Sequence, residues 1–249
     1  MMEYRMKIII RCSYFVLFLC TVLGCAGEKT IQTIVPSILS VAVTSDSPIS
    51  QYDPQLWIRQ YIEKFAEEEK LRVEWNVVAF DGSWALASND SVDLVATNVA
   101  SFSDRVVPGS TFSDPFLYER RALRIRPMDA ANFETIADFV GKKIGVVSGM
   151  AAEIDVNRRA PSGVNIVTTT SFGELYSDFE LGRLDAVAEA EYYDLSGRVI
   201  PSYGDDVVLI DHHDLNPGSR EESVFVIRDQ SKGLLKSLNR FIKKTHFPL

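Results

Sequence analysis

The sequence predicts an α/β protein made of two small units, each a mainly parallel sheet flanked by helices, joined by two extended crossovers. Three observations carry this. Short β-branched runs alternate with amphipathic stretches at helical spacing. The alternation occurs twice, with three strand-like runs each time. The segments between the halves are extended rather than loop-like. At 249 residues and 46% hydrophobic, the chain can bury one large core or two modest ones.

The first half opens on "LSVAVT" (39–44), a short β-branched run read as a strand. "DPQLWIRQYIEKFAEEEK" follows, with Asp53 as helix N-cap candidate and Pro54 at the first helical position. Its apolar residues Trp57, Tyr61, Ile62 and Phe65 fall on one helical face, and "EEEK" reads as its exposed end. "RVEWNVVAF" is the next strand, "GSWALAS" a short helix and "VDLVAT" the third strand.

The second half begins near Asn132. "NFETIADFV" reads as a short helix and "KKIGVVS" as a strand; "AAEIDVNRR" is a helix, "VNIVTT" a strand, "SFGELYSDFELGR" a helix and "DAVAEA" a strand. The chain closes with "ESVFVIR" and a last helix, whose apolar face is Leu234, Leu235, Leu238, Phe241 and Ile242. Lys243 and Lys244 suit its C-terminal dipole. "YERRALRIR" leads out of the first half and "EESVFVIRD" leads back. Two extended crossovers give two lobes a common hinge. A ligand would sit between them, over the carboxyl ends of the strands.

The N-terminus differs from the rest. "MMEYRMKIIIRCSYFVLFLCTVLGCAG" has a basic start, an apolar stretch and then small residues, the layout of an export signal over 1–24. "VLGC" resembles a bacterial lipoprotein processing box, which makes Cys25 the lipidated residue and 25–38 a tether. The alternative is an uncleaved anchor helix. All three cysteines, Cys12, Cys20 and Cys25, fall in this segment, so a chain starting at Cys25 has no internal disulfide and no cysteine pair for zinc. The net charge of −8 argues against nucleic-acid binding through a broad basic surface.

"DHHD" (211–214) places two histidines between two acids, readable as a weak metal site or a solvated loop. Adjacent strand residues point apart, which favours the loop. There is no G-x-S-x-G elbow, and the three histidines all lie late in the chain, so nucleophilic catalysis has little support.

"VDLVATNVASFSDRVVPGSTFSDPFLYERRALRIR", "FVGKKIGVVSGMAAE" and "LGRLDAVAEAEYYDL" resemble the periplasmic solute-binding proteins of polar amino-acid ABC transporters, from Leu39 to Phe247 in order and spacing. The resemblance implies a two-lobed clamshell: 39–122 with 223–249 as lobe 1, and 123–222 as lobe 2. It closes on a small solute and delivers it to a membrane permease, with no cofactor. It assigns Arg105 to the ligand carboxylate, where a planar fork of donors matches the acceptor. A surface arginine paired with Asp104 is the plain alternative.

The other candidate ligand residues are Ser101, Phe80 as an apolar wall, and the Ser148–Gly149–Met150 turn, whose N–H groups open a helix. Trp84, Tyr52 and Phe102 are further candidates for lining the cleft. The departures are Ala100 and Met150, where the resemblance implies hydroxyl side chains, Ala190, where it implies an amine-binding aspartate, and Ile49, where it implies an aromatic. Asp46, Asp81, Glu189 and Glu191 are the candidate acids to substitute for that aspartate. If residue 190 lies on a strand, Glu189 and Glu191 point to the other face.

The sequence thus predicts a lipid-anchored extracytoplasmic receptor of an ABC importer for a carboxylate-bearing solute. The alternatives are a clamshell lipoprotein without a solute site, acting on another protein, and an enzyme resembling cyclic-acid dehydratases.

Overall fold

The computed structural model describes residues 31–44, 54–201, 207–213 and 220–249. The signal segment, Cys25, Asp46, Ile49, Tyr52, Asp53 and Asp214 lie outside the described residues.

The first half contributes β1 (Ile38–Val43), α1 (Pro54–Glu68), β2 (Arg72–Val77), β3 (Leu94–Ala100) and β4 (Ser110–Phe112). β5 (Leu117–Ile125) leads out of it. The second half holds β6 (Lys143–Val147), α2 (Ala151–Arg159), β7 (Asn165–Thr169), α3 (Phe172–Glu180), β8 (Ala186–Tyr193), β9 (Val199–Ile200) and β10 (Val208–His213). β11 (Glu221–Arg228) returns and α4 (Leu234–Lys244) ends the chain.

The sheet order is β2-β1-β3-β11-β5-β8-β6-β7. β1 pairs in parallel with β2 and β3, and β6 in parallel with β7 and β8. Each triplet is therefore wound the same way, with its first strand in the middle. β11 and β5 are the antiparallel strands between the triplets. In such sheets the crevice lies at the carboxyl ends of the strands where the winding reverses, here those of β1 with β3 and β6 with β8.

All seven residues of β3 are buried, as a strand covered on both faces requires. α1 buries Trp57, Tyr61, Ile62 and Phe65, the stripe its spacing predicts. That stripe packs with Phe116, Phe225, Phe241 and Phe247 in the core of the first half. Burying each large side chain contributes about 1.5–3 kcal/mol. Leu123, Phe139, Ile144, Val146, Ala152 and Val156 fill the second half. A further cluster joins Phe80 to Val147, Met150, Leu175, Phe179 and Val187. Phe80 thus leaves its own half to pack against strands and helices of the other.

Three readings need correction. "GSWALAS" makes only a one-turn 3-10 helix at Ser83–Ala85, because Gly82 enters it left-handed at φ 72° and Ser83 is tied to Thr97. "NFETIADFV" is likewise a 3-10 turn, Ile136–Phe139, closed by a reciprocal Thr135–Asp138 capping box. Asp211, His212 and His213 are no loop. They lie in β10, which pairs antiparallel with β5. His212 faces Glu191 at 3.5 Å and His213 contacts Arg158 at 3.2 Å, so the two rings have different partners.

Candidate functional site

Arg105 ends a 3-10 turn, Ser103–Arg105, that follows directly on β3. It is only 2% exposed, which removes the surface alternative. Its guanidinium carbon lies 5.4 Å from the Phe80 ring centre, 4.8 Å from that of Trp84 and 4.9 Å from that of Phe102. Three aromatic faces offset part of the cation's lost hydration. Burial lowers the guanidinium pKa from its ordinary value, with Asp104 opposing. Nη2 donates to the Gly149 carbonyl at 2.6 Å, while the buried Nη1 has no hydrogen-bond partner among the described residues.

Gly149 follows β6, and its left-handed backbone favours glycine. Its φ is +77°, and an added Cβ would sit 2.7 Å from Asp81 Oδ1. Asp81 itself is exposed beside it. The turn's N–H groups were expected to face an anion. Instead, Gly149 N donates to Glu153 Oε2 at 2.7 Å, Ser148 N to the Thr169 carbonyl and Met150 N to the Val147 carbonyl. The chain's own carboxylate thus takes the Gly149 N–H. Met150, 8% exposed, packs with Phe80 in the core.

The remaining candidates divide. Ser101 is turned to β11, where its N–H meets the Glu222 carbonyl at 2.9 Å. Glu191 accepts from the Tyr193 hydroxyl and faces His212 of β10. Neither joins the group around Arg105. Ala190 lies on a strand, in register with Arg121, and is buried among Trp57 and Tyr192. Ala100 is also buried. Glu189 is 4% exposed and accepts from the Tyr176 hydroxyl, with the Tyr192 hydroxyl 3.5 Å away. Burial pushes its carboxyl pKa up, against the Tyr176 hydrogen bond and the charges of Arg124 and Arg121.

Beside this group is a cavity of about 10 Å³, room for roughly one water. Pro54 and Gln55 of α1, Asn98 of β3, Phe172 and Tyr176 of α3, and Tyr192 of β8 line it. Asn98 adopts φ 64°, a left-handed conformation that asparagine tolerates better than most side chains. Its Nδ2 donates to Glu119 Oε1 at 2.8 Å, and the buried Oδ1 has no hydrogen-bond partner among the described residues. Glu119 also accepts from Ser223 Oγ at 2.5 Å and pairs with Arg121, which is 3.3 Å from Glu221. Burial alone would lower the Arg121 pKa, but Glu119 and Glu221 raise it overall. These residues were not picked out from the sequence; the signal was "TN", a polar pair inside the otherwise apolar run "LVATNVA".

No protein-family model matches the chain. Two curated relatives are binding proteins for amino acids. The L-cystine-binding protein TcyJ of Escherichia coli K12 is 23% identical over 180 residues, 72% of this chain and 65% of that protein. The histidine-binding periplasmic protein of Salmonella typhimurium is 28% identical over 113 residues, 43% of this chain and 42% of its own. The chain therefore spans just under two thirds of the cystine-binding relative. Among solved structures, the amino-acid ABC transporter substrate-binding protein AbpA of Streptococcus pneumoniae, bound to L-arginine, matches with a TM-score of 0.64 at 19% identity. That match covers 84% of this chain and 88% of AbpA. The fold is that of the two-lobed periplasmic amino-acid-binding proteins.

Proposed function

We propose that the chain is the solute-binding component of an ABC importer, capturing a small carboxylate-bearing solute, an amino acid or a related acid, between two lobes. The observation that carries this is Arg105 Nη1, a donor on a buried cation with no hydrogen-bond partner among the described residues. A carboxylate supplies both the charge and the acceptor it lacks. The names of the two relatives, a cystine-binding protein and a histidine-binding periplasmic protein, support the class and favour a binder over an enzyme.

In this reading 39–122 with 223–249 form lobe 1 and 123–222 form lobe 2. β5 and β11 act as the hinge, and closure brings Arg105 onto Gly149. Cys25 carries the lipid that holds the exported receptor at the membrane beside its permease. The expectation of an anion held by the Ser148–Gly149 N–H groups is withdrawn, since Glu153 and backbone carbonyls take those donors.

The test is a thermal-shift panel of amino acids, keto acids, dicarboxylates and dipeptides on the domain that follows Cys25. A solute preferring the folded state raises the melting temperature by mass action. A saturable shift with a carboxylate-bearing solute is expected. Silence across the panel would return the reading to a clamshell that acts on another protein.

A further inference from the structure

Arg105, Phe80 and Asp81 reach from the first half of the chain into the second. Arg105 Nη2 donates to the Gly149 carbonyl at 2.6 Å. Phe80 packs with Val147, Met150 and Phe179, and Trp84 lies against the same cluster. Asp81 is so near Gly149 that a Cβ built there would sit 2.7 Å from its Oδ1. Each of these contacts joins two groups of the chain itself.

The junction they make is shut to a solute. Arg105 and Phe80 are each 2% exposed and Met150 is 8% exposed. Arg105 Nη1, the proposed carboxylate donor, is itself buried. A carboxylate therefore reaches it only after the halves part. Parting them takes the Gly149 carbonyl away from a charged donor and turns the Phe80 ring toward water. Water regained by the guanidinium works against the closed form, but the Trp84 and Phe102 rings, at 4.8 and 4.9 Å, already replace part of that hydration. A hydrogen bond to a charged group corresponds to a factor of about ten or more in the equilibrium. Burial of the Phe80 ring adds to it.

We infer that the Arg105–Gly149 hydrogen bond, with Phe80 seated in the cluster of the second half, is an autoinhibitory latch that closes the two halves on each other with no solute between them. A solute then binds only the minor open form, and its apparent affinity is reduced by the fraction of chains that are open. Arg105 thus serves the self-closed form as well as the grip on a carboxylate. This rests on the hinge between two lobes in the proposed receptor, and not on which solute it takes.

The experiment measures the separation of two nitroxide labels by double electron–electron resonance, without solute, in the domain that follows Cys25, which contains the compact unit 31–249. Ala79→Cys, exposed just before Phe80, carries one label, and Asn157→Cys, exposed on α2, carries the other. That domain has no cysteine of its own. The shorter separation, that of the joined halves, is expected to dominate, with the longer one below about a tenth of the population. Arg105→Met removes the hydrogen bond and is expected to raise the open-to-closed ratio about tenfold. Phe80→Ala, which leaves Arg105 in place, is expected to raise it as well, and it covers the case in which Arg105→Met does not fold.

A longer separation that dominates before either substitution overturns the latch and leaves the hinge standing. Lengthening by Phe80→Ala alone, with Arg105→Met folded, overturns the assignment to Arg105. A short separation in all three proteins overturns the latch and the hinge together. Neither label reports on solute binding, so silence across the thermal-shift panel would overturn the receptor and leave the latch standing.

Discussion

Arg105 Nη2 donates to the Gly149 carbonyl across 2.6 Å, although Arg105 follows β3 and Gly149 follows β6. Those strands belong to different parallel triplets, separated in the sheet by β11, β5 and β8. One hydrogen bond on a buried cation thus ties together the two crevice edges that the winding of the sheet creates. Phe80 runs the same way, from the first half into the apolar cluster of Val147 and Met150.

Gly149→Ala tests how tightly that junction is built. The added methyl meets Asp81 and the backbone is left-handed, so the variant should lose about 1–3 kcal/mol of stability in urea denaturation. Combining it with Asp81→Ala should recover part of the loss, because the collision goes and the φ strain stays. A fully stable single variant would contradict the close approach of Asp81.

Arg121→Met tests the buried charges between the triplets. It leaves Glu119 and Glu221, each 4% exposed, without their guanidinium. Breaking such a group from one side costs about 3–5 kcal/mol. A urea midpoint unchanged from wild type would mean that the cluster is solvated in solution.

Glu189 sets a pH dependence of known sign. In the unfolded chain its carboxyl ionises at its ordinary value, whereas burial keeps it protonated to higher pH in the fold. Between those two values the folded state holds a proton that the unfolded state has released, so this residue's contribution to stability falls as pH rises. Glu189→Gln should therefore lose less melting temperature than wild type as the pH is raised from the ordinary carboxylate range through its folded-state value. Parallel curves for the two proteins would refute the raised value.

The fold was legible in the sequence because its signals are periodic. Trp57, Tyr61, Ile62 and Phe65 mark α1, and Leu234, Leu235, Leu238, Phe241 and Ile242 mark α4; all are buried except Leu235, which is partly buried against the same core. β10 was missed because "LIDHH" mixes polar and apolar residues; pairing with β5 decides its conformation, and no local preference does. At the site, Arg105 and Phe80 could be singled out because the resemblance to solute-binding proteins assigns roles to their positions. Asn98 could not: its significance comes from Glu119, Tyr176 and Tyr192, which lie far along the chain and meet it only in the folded sheet. The Ser148–Gly149 turn misled for a related reason. A helix start suggests free N–H donors, yet whether they stay free depends on one nearby side chain, Glu153.

The central claim is that Arg105 grips the carboxylate of a solute. Isothermal titration of the domain that follows Cys25, with the strongest carboxylate from the thermal-shift panel, tests it against Arg105→Ala. The account predicts that the variant stays folded by circular dichroism and binds about 2–5 kcal/mol more weakly. A folded variant whose affinity equals that of wild type would contradict it.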